Sequence, residues 1–163
     1  MTVDDAFAQI ERLSAVVQTG LPEMAFRASP CPSTHLFRDP RVFRGEVPGA
    51  GFSDRHGVYL FADSEQRVLY VGKADKTTFA SEIYGKIRKA TILDSANDTP
   101  EFSNHSWRDI ASPELDTLLR EGRFYVAAIE IDPKDMCSFV EVYLQARAHR
   151  LEGSACVLNR RIG

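Results

Sequence analysis

The sequence predicts an α+β domain, a small three-stranded antiparallel sheet flanked by helices and preceded by an N-terminal helical extension. Three observations predict it. GVYLFA at 57–62 and RVLYVG at 67–72 are β-rich runs joined by the short polar link Asp63-Ser64-Glu65-Gln66, the pattern of a hairpin. RFYVAAIEI at 123–131 is a third run of the same quality. Elsewhere, apolar residues recur at helical rather than strand spacing. With 163 residues, 44% of them hydrophobic and 26% charged, the chain can bury a core and is neither disordered nor fibrous.

Each element has its own local reason. Residues 3–18 set Val3, Phe7, Ile10, Leu13, Val16 and Val17 at helical spacing, and Gly20 and Pro22 stop that helix. From 21 to 51 the chain is rich in proline, serine, glycine and arginine without sustained periodicity, and reads as a long irregular surface connection. A loop of that length is expected to carry function or be ordered by packing. The chain therefore divides into an extension, 1–50, and a main domain, 51–163. After the hairpin, Ile83, Tyr84, Ile87 and Ala90 predict a basic amphipathic helix over 79–90. Residues 94–112 read as a polar loop containing Trp107. Ser112 as N-cap, Pro113 at the first helical position and Glu114 in the first turn predict a short helix to about residue 120. Gly122 ends it before the third strand. Asp132-Pro133 opens a last helix by the same device, with Met136, Val140, Tyr143, Leu144, Arg147 and Leu151 on one side and Gly153 at its end.

No run approaches the roughly 18 apolar residues of a membrane span. The N-terminus carries acids where a signal peptide has a basic region, so a cytoplasmic, non-membrane protein is expected. Cys31, Cys137 and Cys156 are odd in number and far apart, which suits a reducing compartment and idle thiols. The net charge of −3 is unevenly distributed. Residues 67–91 hold Arg67, Lys73, Lys76, Lys86, Arg88 and Lys89 against Asp75 and Glu82, a net +4. Residues 136–163 are net +2, and the acidic stretch 92–135 is net −6. Two basic segments can form one basic face on a mildly acidic protein, although a solvated surface without a partner has the same composition.

Several familiar sites are excluded. Gly72-Lys73-Ala74 lacks both the first glycine and the Ser/Thr of a phosphate loop. His35, His56, His105 and His149 show no zinc-ligand spacing with the cysteines. There is no G-x-S-x-G elbow, and no cysteine has local signs of activation.

The hairpin carries a more specific signal. GVY at 57–59 and YVG at 70–72 put Tyr59 and Tyr70 on neighbouring antiparallel strands. This double motif resembles the GIY-YIG nuclease family, with valine for isoleucine in both halves. The longer string GVYLF…VLYVGKA looks especially like the N-terminal nuclease module of the bacterial excision-repair incision subunits. The resemblance spans about residues 55–161. It implies a GIY-YIG-like fold and an active site completed by an arginine, a glutamate and an asparagine, for which this chain offers Arg88, Glu141 and Asn159. Glu141 is the only acid between Met136 and Leu151, and Leu158-Asn159 matches the family's closing pattern. Two departures stand. The arginine follows Tyr70 at more than the family's usual spacing, which leaves Arg88, Lys86 and Lys89 as alternative cations. Val157 replaces the proline that usually precedes the closing Leu-Asn.

The resemblance implies a metal-dependent endonuclease acting on duplex or branched DNA, with one Mg²⁺ or Mn²⁺ held by Glu141. Phosphodiester hydrolysis needs an acceptor for the water's proton and positive charge at the developing phosphorane. A tyrosine hydroxyl, with a pKa of about 10, is a poor base unless a cation lowers it, and Lys73 is the expected source of that field. The resemblance implies Tyr59 as the base, Tyr70 as a phosphate-positioning hydroxyl and Asn159 as a holder of the site, and Arg88 would fork onto the phosphate. Lys73, Lys76, Lys86, Arg88 and Lys89 are the expected DNA contacts. Tyr59, Tyr70, Arg88 and Glu141 are expected to converge on one surface, since one phosphate and one metal must touch them all. A module that binds nucleic acid or a protein partner without cutting is the alternative.

Overall fold

The computed structural model describes residues 1–35, 51–88, 101–102, 124–152 and 159, and side chains within 1–31, 51–83, 124–150 and 159. At its centre is the hairpin of β2 (Gly57–Ala62) and β3 (Val68–Ala74). The Asp63 carboxylate closes the turn, accepting from the backbone N–H groups of Glu65 and Arg67 at 2.9 Å each, while Gln66 takes a positive φ of 61°. Strand β3 runs two residues further than expected, through Lys73 and Ala74. Gly72 pairs with Tyr59 and Lys73 with Val58, so adjacent residues of β3 face opposite sides of the sheet.

Strand β6 (Tyr125–Asp132) pairs antiparallel with β2, placing Ala128 opposite Tyr59. The expected three strands are joined by a fourth. Residues Arg27–His35 form β1, which pairs antiparallel with β6 and gives the order β1-β6-β2-β3. So the stretch after residue 21 is not wholly irregular. RASPCPSTH has neither alternation nor a β-branched run, and its two prolines lack N–H groups. It is tolerated as an edge strand, with a register shift between Cys31 and Thr34.

Helix α1 (Val3–Gly20) is closed by a capping box in which Thr2 and Asp5 each accept the other's backbone N–H. Its Val3, Ala6, Ile10 and Val17 enter the same core as the sheet, so α1 and β1 are built into the domain rather than appended to it. Helix α2 (Phe79–Lys86) is shorter than the expected 79–90. The chain leaves it as β4 (Ile87–Arg88), paired antiparallel with β5 (Glu101–Phe102), which puts Arg88 on a strand and not on the helix. The loop around Trp107 and the helix expected at 113–120 lie outside the described residues. Pro133 is extended and does not open the last helix. A 3₁₀ turn at Lys134–Met136 comes first, followed by α3 (Cys137–Glu152).

Period-two alternation gives the sheet two apolar faces. Val58, Leu60, Val71, Ala127, Ile129 and Ile131 pack against α1 and against Cys137, Val140, Leu144 and Ala148 of α3. Tyr59, Phe61, Val126 and Ala128 pack on the other face with Phe124 and with Phe79 and Ile83 of α2. Phe79 and Ile83 are fully buried, and each such side chain contributes roughly 1.5–3 kcal/mol. Among the described residues, no helix is long and apolar enough to cross a membrane.

Candidate active site at the outer edge of the sheet

The two motif glycines explain how the tyrosines are placed. A Cβ on Gly72 would lie 2.6 Å from both Cζ and the hydroxyl oxygen of Tyr59, and 2.7 Å from Cε1 of Tyr70. The Tyr59 ring therefore lies across Gly72, which brings its hydroxyl to the outermost strand. Tyr59 and Tyr70 stand 6.0 Å apart between ring centroids, and the Phe61 ring lies 5.5 and 5.6 Å from them. A Cβ on Gly57 would overlap the Ile129 carbonyl oxygen and come within 2.7 Å of the Phe79 ring, so this glycine permits the close approach of β6 and α2.

On the other side of β3, Lys73 points to α3. Its Nζ donates to Ser138 Oγ at 2.6 Å and sits 3.4 Å from an Asp75 carboxylate oxygen and 3.6 Å from Glu141 Oε2. The strand between is held by an asparagine from far along the chain. Asn159 accepts from the Val71 N–H through Oδ1 and donates to the Val71 carbonyl through Nδ2, both at 2.9 Å. Its amide thus imitates a paired strand residue and satisfies an outward-facing backbone position of an edge strand. Gln145, buried on α3, donates to the same carbonyl at 3.2 Å.

The electrostatics correct one expectation. The Tyr59 hydroxyl is held well above its ordinary pKa, first by burial, then by the Tyr70 hydroxyl and the charges of Glu82 and Glu141. Lys73 is not what sets it: its ammonium leaves the other face of the strand and is engaged by two carboxylates, one of which, Glu141, itself pushes the hydroxyl up. Tyr59 is therefore protonated at neutral pH. Burial also pushes the Cys137 thiol up to about 12, aided by the Asp75 charge. Folding keeps both protons on, so stability is intact below pH 9, the thiol's ordinary value, and falls as pH climbs toward 12. Each group contributes a slope of up to about 1.4 kcal/mol per pH unit in its window. Thermal melts from pH 8 upward should show this loss, and Cys137→Ala should make it shallower, leaving the Tyr59 share; an unchanged slope in that variant would exclude the thiol as a source.

Five of the residues singled out from the sequence thus gather around positions 70–73 of β3. They do not share one face. Tyr59 and Tyr70 lie on the α2 side and Lys73 and Glu141 on the α3 side, so the expected convergence of the tyrosines and Glu141 on one surface is not what the structure shows, although the Glu141 charge still acts on the Tyr59 hydroxyl. Lys76 is exposed in the segment after β3. Lys86 and Arg88 are described by their backbone alone, and Lys89 lies outside the described residues. Ser138, Asp75 and Gln145 were not anticipated. Only the i, i+4 spacing of Glu141 and Gln145 hinted at the last.

Among the described residues, no three His, Cys, Asp or Glu side chains cluster as a metal cage. Glu141 and Asp75 both face the Lys73 ammonium, at 3.6 and 3.4 Å; carboxylates are the ligand type that Mg²⁺ takes together with substrate phosphate and water. No protein-family model, curated protein or solved structure matches the chain.

Proposed function

We propose that this chain is a metal-dependent endonuclease that hydrolyses DNA phosphodiester bonds in the cytoplasm, as its likeness to the GIY-YIG family implies. The observation that carries the reading is the gathering of Tyr59, Tyr70, Lys73, Glu141 and Asn159 about four consecutive residues of one edge strand.

The roles follow from exposure and charge. Half-buried Tyr70 presents its hydroxyl to the phosphate, and the buried Tyr59 hydroxyl orients it through their hydrogen bond. Lys73 and a cation from residues 86–89 neutralise phosphate charge. Glu141, with Asp75 beside it, would hold a divalent ion, which supplies charge stabilisation at the leaving oxygen. Asn159 keeps Val71, and so its neighbours Tyr70 and Gly72, in register.

Supercoiled plasmid and branched DNA incubated with magnesium or manganese should be nicked, and chelator should stop the reaction. Tyr59→Phe is expected to slow cutting about tenfold, as befits loss of one orienting hydrogen bond worth about 1 kcal/mol. A loss of 10²–10⁴-fold would instead mark Tyr59 as the base. Protein that binds these substrates yet leaves all of them uncut would sink the nuclease reading in favour of a binding module.

A further inference from the structure

The contacts between α3 and β3 form a ruler. Glu141 faces Lys73 and, one helical turn later, Gln145 reaches Val71. Three residues before Glu141, Ser138 takes the Lys73 ammonium as well. The four-residue step from Glu141 to Gln145 along the helix is thus matched to the two-residue step from Lys73 to Val71 along the strand, running in opposite directions. The lengths agree, since four helical residues advance about 6 Å and two strand residues about 6.6 Å. The two elements can therefore be held in register by contacts at both ends of this interval. At one end the contact is the Lys73 cluster itself. At the other it is Gln145.

We propose that Gln145 is a positioning residue that locks the axial register of α3 on β3, and thereby sets Glu141 against Lys73. Two features separate this from ordinary core packing. Gln145 is one of three buried polar or charged side chains among the described residues, the others being Ser53 and Asp63, so it is not there for apolar contact. The Val71 carbonyl it binds also accepts from Asn159, so the bond is not needed to satisfy that carbonyl. Asn159 lies beyond α3 and fixes the strand. Gln145 stands on the helix that carries Glu141, so its bond ties that helix to the strand. A slip of α3 by one residue, about 1.5 Å, would take the carboxylate away from the ammonium.

The test compares Gln145→Met with Leu144→Val. The first keeps length and packing while deleting the amide, and Asn159 still serves the carbonyl, so the variant should fold. The second trims the apolar core next door without touching the ruler. The placement readout is the Lys73 ammonium resonance in protein with isotope-labelled lysine, which its bond to Ser138 should protect from solvent exchange. Gln145→Met is expected to lose that protection, and Leu144→Val to keep it at a matched stability loss. The cleavage arm rests on the nuclease reading. There Gln145→Met should lower the single-turnover rate at saturating DNA by about tenfold to 10²-fold with unchanged binding, because roughly 1 Å of misplacement is costly in rate. A Lys73 signal unchanged in Gln145→Met, or lost equally in Leu144→Val, would overturn the proposal whatever the nuclease assay shows. A wild-type protein that does not cut overturns the nuclease reading alone, and the resonance still decides the role of Gln145.

Discussion

Glu141→Ala should reduce cleavage by at least about 10²-fold, some 3 kcal/mol of transition-state stabilisation, while leaving affinity for DNA nearly intact. Rate and affinity separate because they rest on different charges. The carboxylate is the principal candidate to hold the divalent ion that steadies the leaving oxygen. Binding depends on lysine and arginine contacts to phosphates, which the substitution does not remove. Lys73 keeps Ser138 at 2.6 Å and Asp75 at 3.4 Å, so the ammonium stays anchored when its third partner is deleted. Glu141→Gln should lose activity similarly, since it retains the shape and removes the negative charge. Plasmid nicking followed beside a binding isotherm measures both quantities on one sample. Equal cutting by wild type and Glu141→Ala would show that the activity belongs to another site or to a contaminant.

How much of this was legible in the chain depends on which interactions a residue's neighbours in sequence report. The hairpin was legible because alternation, a polar link and two motif glycines all lie within sixteen residues, 57–72. Strand β1 was not, because it is held by pairing with β6, a hundred residues away, and its prolines resemble those of a loop. The end of α2 was misread because Ile87 and Ala90 continue the helical spacing, whereas pairing with 101–102 wins at residue 87. Lys73 illustrates how sensitive a strand is to its limits. Counted as a loop residue it could face either way; as a strand residue next to Gly72 it must face away from Tyr59. Gln145 was illegible for a different reason. A glutamine on a polar helical stripe looks the same whether it meets water or the outward carbonyl of an edge strand. Only the strand order decides which.

Gly72→Ala should destabilise the protein by about 1–3 kcal/mol through overpacking, and the cost should depend on the ring opposite it. The new methyl would meet Tyr59 Cζ and the hydroxyl oxygen at 2.6 Å, inside any tolerable contact, so the tyrosine must move. It has little room to do so, because Phe61 and Tyr70 pack beside it and the ring is buried. Tyr59→Leu removes the obstructing end of the ring while keeping an apolar side chain in the core. In that background Gly72→Ala should cost much less, giving a coupling of about 1–2 kcal/mol in a double-mutant cycle. A residue of the cost should persist, since Tyr70 Cε1 also lies 2.7 Å from the methyl position. Chemical denaturation of the four proteins supplies the cycle. Additive effects, with coupling below about 0.5 kcal/mol, would mean that the ring does not lie on Gly72 and that the second motif glycine serves some other purpose. A large coupling would tie this glycine to the seating of the Tyr59 hydroxyl at the outer strand, and cutting by Gly72→Ala should then fall further than its loss of folded protein accounts for.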